Sequence, residues 1–182
     1  MNTPIFVLFV CMGNICRSPA AEGLLKHLVR QSPDLNIEVE SCGIGDWHIG
    51  QPPDWRMQEA STSRGIALTS KAQQFQSHFF DRFDYILASD KEVLRDLYHY
   101  AKTPQEKAKI ALMTEFSTDY KGQEVPDPYY EGTGMFELVL DILQDACEGL
   151  IDHIILQNGN KIAPNQYNSL NSDSGKFDQN TS

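Results

Sequence analysis

The chain has 182 residues, long enough for one well-filled core and too short for two full-sized domains. Hydrophobic residues make up 41% and aromatics 10%, which excludes a chain disordered throughout or a collagen-like repeat. Lys and Arg total 15 against 25 Asp and Glu, a formal net charge of −10, so phosphate backbones and anionic lipid are repelled and no nucleic-acid or membrane partner is expected.

In chain order the pattern alternates. Ile5 to Val10 is continuously apolar, as a strand covered on both faces should be. From Ser18 the period changes: Ala20, Ala21, Leu24, Leu25, Leu28 and Val29 share one helical face, with Glu22, Lys26, His27 and Arg30 mostly off it. Pro19 suits the first turn, where its missing N–H costs nothing. Ile37 to Cys42 alternates as a second strand, and a Gly-rich loop, 43–50, follows it. Pro53 to Arg64 reads as a helix stopped by Gly65. Asp84 to Ser89 is a third strand, and Asp90 can cap a helix running to about Tyr100. Ile110 to Met113 is a short fourth strand, followed by a long loop to Thr133. Met135 to Leu156 carries the strongest helical pattern. Phe79, Phe80 and Phe83 are expected in the core. Strands alternating with helices imply βαβ units, a parallel sheet and right-handed crossovers. The expected domain spans 1–157. Residues 158–182 are polar and are expected to form a disordered tail.

No apolar run reaches the ~18 residues of a membrane helix. Ile5 to Met12 has no preceding Lys or Arg, which favours a strand over an export signal. The expected compartment is therefore the cytoplasm, with Cys11, Cys16, Cys42 and Cys147 reduced. No paired Cys/His spacing supports zinc, although His27 and His48 are possible donors taken singly. No metal and no cofactor are expected.

The chemistry concentrates in Cys11-Met-Gly-Asn-Ile-Cys-Arg-Ser18, between an apolar strand and an amphipathic helix. At such a junction backbone N–H groups and the helix dipole converge on an anion. Gly13 is expected to let the loop curl tightly and approach a ligand. The Arg17 fork matches two phosphate oxygens. Cys11 at the floor would be stabilised as a thiolate and placed for in-line attack on phosphorus. The plain alternative is a tight turn around a buried cysteine. The flanking strand, Gly13, Asn14, Ser18 and the helix together argue against it. A nucleotide P-loop needs Gly-x4-Gly-Lys-Ser/Thr, which is absent. Asp127, between Pro126 and Pro128, can be aimed as the acid that protonates a leaving oxygen; a solvated turn is its ordinary fate. Trp47, Tyr129 and Tyr130 sit in polar or Gly-rich loops and can wall a slot for a flat ring.

These residues resemble the low-molecular-weight protein-tyrosine phosphatase family. Val7 to Pro19 is similar to its signature, Asp127-Pro-Tyr-Tyr130 to its acid loop, and Ser41, Gly43, Trp47 to Gly50, Asp84 to Leu87 and Asp90 to segments between. The resemblance covers about Pro4 to Leu156. It implies a single three-layer α/β domain: a four-stranded parallel sheet, order 2-1-3-4, flanked by helices, with the phosphate loop after the first strand. It implies Cys11 as nucleophile, Arg17 as phosphate binder, and Asp127 as general acid and then base. Met12, Gly13, Asn14, Ile15, Cys16, Ser18 and Ser41 would form or support the loop, Ser18 donating to the Cys11 sulfur and Asn14 holding the loop's shape. Trp47, Tyr129 and Ile15 would wall the slot, in the manner of the family's aromatic-walled branch. Cys16 matches a vicinal cysteine that can close a disulfide with Cys11 under peroxide, with Cys42 the rival partner.

Two departures stand out: Cys42 where Ala is common, and Gln73 where Arg is frequent. The implied activity is hydrolysis of phosphotyrosine in proteins, and of small aryl phosphates, through a phosphocysteine, with inorganic phosphate as product. The implied protein is a monomer or weak dimer. The alternatives are a non-catalytic phosphotyrosine-binding or redox-sensing module, and an arsenate reductase on the same fold. The last needs redox cysteines after the second helix, and residues 65–110 contain none.

Overall fold

The structure is a computed structural model that describes residues 3–158. Among the described residues ten elements follow in order: β1 (Ile5–Cys11), α1 (Arg17–Arg30), β2 (Ile37–Gly43), α2 (Trp55–Ser63), α3 (Phe79–Arg82), β3 (Tyr85–Ala88), α4 (Lys91–Tyr100), α5 (Pro104–Ala108), β4 (Ile110–Leu112) and α6 (Thr133–Gln157). The sheet is parallel throughout, in the order β2-β1-β3-β4. This is the architecture that the family resemblance implies. Residues 159–182, nearly all of the expected tail, lie outside the described residues.

β1 is the central strand, and its apolar run follows from having helices on both faces. Val7 and Phe9 pack into one core cluster with Leu24, Leu25 and Leu28 of α1 and Phe136, Leu140 and Leu143 of α6. Leu8 and Val10 point the other way, against Phe80, Val93 and Leu97. The two clusters are the two interlayer cores, and strand alternation divides β1 between them. Phe79, Phe80 and Phe83 are buried as expected, with edge-to-face contacts from Phe75 to Phe79 and Phe80 at 5.8 and 5.4 Å.

The caps explain where several helices start. Asp54 accepts from the Arg56 N–H at the start of α2, and Asp90 from the Val93 N–H at the start of α4. α3 and α5 have only four and five residues, too few to show a helical period in sequence. α5 still carries a readable start signal, Thr103-Pro-Gln-Glu106, which forms a capping box.

One placement corrects the sequence reading. Glu22 was expected away from the packed face of α1, yet it is 6% exposed. Its carboxylate is hydrogen-bonded to Ser41 and paired with Lys26, which provides the partners that a buried charge requires.

Gly149 lies within α6, where alanine is ordinarily favoured over glycine by about 1 kcal/mol. A Cβ at Gly149 would stand 1.9 Å from the Phe116 carbonyl oxygen. Gly149→Ala should therefore destabilise the fold by about 1–3 kcal/mol, the usual range for overpacking, and lower Tm in a thermal melt. A raised Tm would mean that the 116 segment can move aside without cost.

Candidate active site

β1 ends at Cys11 and α1 begins at Arg17, so the intervening loop lies at the carboxyl edge of the sheet beside its central strand. Open α/β sheets bind ligands at this edge. The loop's left-handed residue is Asn14, with φ of 56°. This corrects the expectation that Gly13 makes the curl, because Gly13 does not have a positive φ. Gly13 instead gives clearance: a Cβ there would meet His48 Cδ2 at 3.2 Å. Asparagine tolerates the left-handed region better than most residues, and here its side chain is fully engaged. Asn14 Oδ1 accepts from the Gln73 main-chain N–H at 2.9 Å, and Nδ2 donates to Ser18 Oγ at 2.8 Å and Ser41 Oγ at 3.0 Å.

Cys11 lies at the centre of this loop and is 3% exposed. Its sulfur is 3.0 Å from Ser18 Oγ and accepts from the Asn14 N–H at 3.2 Å. Arg17, 4% exposed, donates through Nη1 to Asp90 Oδ2 at 2.6 Å and to the Val125 carbonyl at 3.1 Å. Its Nη2 lies 3.6 Å from Asp127 Oδ2. Burial works against the Arg17 charge, but the Cys11 sulfur, Asp127 and Asp90 outweigh it and raise its pKa.

Asp127 is roughly half-exposed, and its Oδ1 accepts from the Tyr129 N–H at 3.1 Å, closing a tight turn between the prolines. A cleft of about 520 Å³ opens above the loop, bounded by Cys11, Ile15, Arg17, Asp127, Trp47, Tyr129 and Tyr130. The structure thus brings the three expected chemical residues and all the expected wall residues to one opening. Trp47 is 64% exposed, so a ring stacking on it would bury area now open to water. Tyr130 is 89% exposed and meets Tyr129 edge-on at 4.8 Å, placing it at the rim. The Arg56 guanidinium, gripped by Asp54, lies 5.4 Å from the Tyr129 ring centroid and ties the acid loop to α2.

Cys16 also borders the cleft but is buried, and burial, with the nearby negative charges of Asp54, Cys11 and Asp127, pushes its thiol pKa upward. Cys42 is pushed up chiefly by burial as well, and it packs in the other core with Leu8 and Val10. Among the described residues, no group of three or more His, Cys, Asp or Glu is placed to hold a metal ion. His48 pairs with Gln51, and His27 with Gln31.

The sequence matches the family of low molecular weight phosphotyrosine protein phosphatases over residues 6–161. The chain belongs to this family. It is 40% identical to the Bacillus subtilis low molecular weight protein-tyrosine-phosphatase YfkJ over 152 residues, covering 82% of this chain and 96% of that one. The human low molecular weight phosphotyrosine protein phosphatase is 38% identical over 148 residues, covering 80% and 93%. A protein tyrosine phosphatase from Entamoeba histolytica, solved with Hepes in its active site, superposes with a TM-score of 0.79 at 42% identity, covering 85% of this chain and 98% of that one. A Drosophila arginine phosphatase superposes with a TM-score of 0.76 at 34% identity, covering 81% and 96%.

Sequence reasoning gave two residues too small a part. Asp90 was expected only to cap α4, but it does so with Oδ1 while Oδ2 holds Arg17. Its position just after β3 was the available signal, because it shares the carboxyl edge of the sheet with Cys11. Gln73 departs from the frequent Arg of the phosphatase family, but its anchoring of Asn14 uses the main chain, which any residue but proline supplies. Its side chain adds a bond to the Ser41 carbonyl at 3.0 Å.

The double use of Asp90 can be separated by substitution. Asp90→Asn keeps a capping oxygen but leaves the buried Arg17 charge without its anion, so it should lose about 3–5 kcal/mol of stability, lowering Tm, and kcat/KM on an aryl phosphate should fall at least tenfold as the guanidinium loses its aim. Asp90→Ala should lose activity and in addition about 1 kcal/mol of stability with the cap. Steady-state kinetics beside thermal melts would check both. Full activity in Asp90→Asn would mean that Arg17 is aimed by Val125 alone.

Proposed function

We propose that the chain hydrolyses phosphotyrosine in proteins, and small aryl phosphates, through a phosphocysteine intermediate, and that residues 1–157 carry this activity. The observation that supports this reading most is the meeting of three groups in one cleft: a thiol receiving two hydrogen bonds or close polar contacts, a buried arginine, and a half-exposed carboxyl 3.6 Å from that arginine. Pure binding would need no acid.

In this reading the Cys11 thiolate attacks phosphorus in line, and the P–O bond to the aryl group breaks. Asp127 gives its proton to the departing oxygen. Arg17 and the loop N–H groups hold the equatorial phosphate oxygens, where charge develops. Asp127, now a carboxylate, takes a proton from water as that water attacks phosphorus. The S–P bond then breaks, the electron pair returns to sulfur, and inorganic phosphate leaves. Ser18 supports sulfur as the leaving group, while Met12, Gly13, Asn14, Ile15, Cys16 and Ser41 form and brace the loop.

The aromatic walls favour a planar substrate. One of the similar structures is an arginine phosphatase, so the substrate comparison should include N-phosphorylated arginine. We place the protein in the cytoplasm, acting as a monomer or weak dimer. No helix among the described residues is long and apolar enough to cross a membrane. For redox control we propose that peroxide converts Cys11 to a sulfenic acid, which Cys16 condenses with to give a disulfide and water. Cys16 borders the same cleft as Cys11, whereas Cys42 packs on the opposite face of the sheet with Val10, which favours Cys16 as the partner.

Turnover of para-nitrophenyl phosphate, measured with and without EDTA, tests the reading directly. Wild type should be active under both conditions, and Cys11→Ser should be inactive while still binding phosphate. Substantial turnover by Cys11→Ser would sink the phosphocysteine route. Asp127→Ala should lower kcat by about 10²–10⁴-fold on phosphotyrosine and by less on substrates with better leaving groups, because these need less protonation. An equal loss across leaving groups would reduce Asp127 to a structural role. Phosphotyrosine peptides should be preferred to phosphoserine peptides in kcat/KM, and comparable values would refute the aromatic slot.

A further inference from the structure

Glu22 is a buried carboxylate that no step of the proposed reaction uses. Its Oε1 takes the Lys26 ammonium at 2.5 Å, and its Oε2 accepts from the Ser41 hydroxyl at 2.5 Å. A hydroxyl has one proton to give. Ser41 gives it to Glu22, so towards Asn14 Nδ2, at 3.0 Å, it acts as acceptor. The Asn14 amide is held in this sense, because turning it over would present Nδ2 to the Gln73 N–H that Oδ1 now accepts. The other Nδ2 proton goes to Ser18 Oγ at 2.8 Å. Ser18 is an acceptor there and has its own single proton to donate. Its two acceptors are Cys11 Sγ at 3.0 Å and the Cys42 carbonyl at 3.3 Å.

We propose that Glu22, held by Lys26, is a positioning residue: by taking the Ser41 proton it keeps Ser41 an acceptor that holds the Asn14 amide in place against Ser18, whose own O–H is then left for the Cys11 sulfur. The inference rests on the reading of Cys11 as nucleophile. Its effect falls on the second half-reaction. There the S–P bond breaks and the electron pair returns to sulfur, while water supplies the oxygen that phosphorus gains and Asp127 takes the proton. A hydroxyl already aimed at sulfur stabilises the departing thiolate. With an apolar side chain at position 22, the buried Ser41 proton loses its acceptor. The Ser41–Asn14 bond then loosens, and Ser18 is free to turn to the Cys42 carbonyl.

The experiment compares Glu22→Leu, Glu22→Gln and Ser41→Ala with wild type, in the full chain, on para-nitrophenyl phosphate and phenyl phosphate. In Glu22→Leu kcat should fall about tenfold, the worth of one hydrogen bond to a charged group. The factor should be the same on both substrates, because the phosphocysteine is common to them. One equivalent of nitrophenol should appear in a burst before the slowed steady state. Inhibition by inorganic phosphate should stay within about twofold, a difference well below one hydrogen bond. Glu22→Gln still offers an oxygen to Ser41 and should recover most of kcat. If Glu22→Leu does not fold, Ser41→Ala carries the same expectations, since it removes the hydroxyl and leaves Glu22 paired with Lys26.

The assignment is overturned by unchanged kcat in a folded variant, by phosphate affinity falling in step with kcat, by a loss that differs between the two substrates, or by a Gln variant as slow as Leu. An inactive wild type would instead overturn the phosphatase reading itself.

Discussion

The buried guanidinium of Arg17 is the constraint around which the site is assembled. A charge removed from water must be met by partners, and those of Arg17 come from two other parts of the chain: Asp90, which follows β3, and the Val125 carbonyl, at the base of the acid loop. Satisfying one side chain therefore fixes three segments relative to one another. Val125 is also held by its own N–H, which donates to the Ser89 carbonyl at 2.8 Å. The acid loop is thus docked to the end of β3 through backbone and to the phosphate loop through Arg17. Asp127 stands two residues beyond this anchor, on the wall of the cleft.

The phosphate loop is held on its other flank by polar groups that a hydrophobic pattern does not reveal. Asn14 adopts a left-handed conformation that costs free energy for a non-glycine residue, and its side chain and amide together make four hydrogen bonds or sulfur contacts that offset the cost. These reach β2 through Ser41 and the segment before α3 through Gln73. Through Ser41 the network continues to Glu22 on α1. The loop is braced by bonds to β2, to α1 and to the segment before α3.

The fold was legible from sequence because its signals are long-range periodicities: the apolar run of β1, the amphipathic face of α1, and the extended pattern of α6. The elements missed, α3 and α5, are shorter than any window in which a period can be seen. The place of the proposed site was legible because Cys11, Arg17 and Ser18 stand within one short motif, and because Asp127 sits in a Pro-flanked turn. The second layer was not. Glu22 has the residue type of a solvated helix face, and only the three-dimensional approach of β2 to α1 shows that Ser41 covers it. Asp90 has the type and place of an ordinary cap, and a carboxylate with two oxygens can cap with one and hold Arg17 with the other. Gln73 stands out in sequence only as a departure from Arg, yet its main-chain N–H is what Asn14 uses. Hydrogen-bond partners distant in sequence leave no local pattern, and a main-chain donor leaves none in residue identity.

The same geometry accounts for how a protein with net charge −10 can receive a phosphate dianion. Arg17 has one terminal nitrogen committed to Asp90 and Val125, and the other faces Asp127 at 3.6 Å, beyond hydrogen-bond range. An arriving phosphate would not have to break a formed bond to reach this nitrogen. The Asp127 carboxyl is held instead from its own loop, by the Tyr129 N–H, and stays within reach of the guanidinium's field. In the proposed reaction the two anionic groups would then divide the site. Phosphate would take the fork and the loop N–H groups, and the carboxyl would be left on the side from which the aryl oxygen departs. Asp90 makes this division possible, because without it the buried cation would be free to turn towards Asp127 and hold the acid that the leaving group needs.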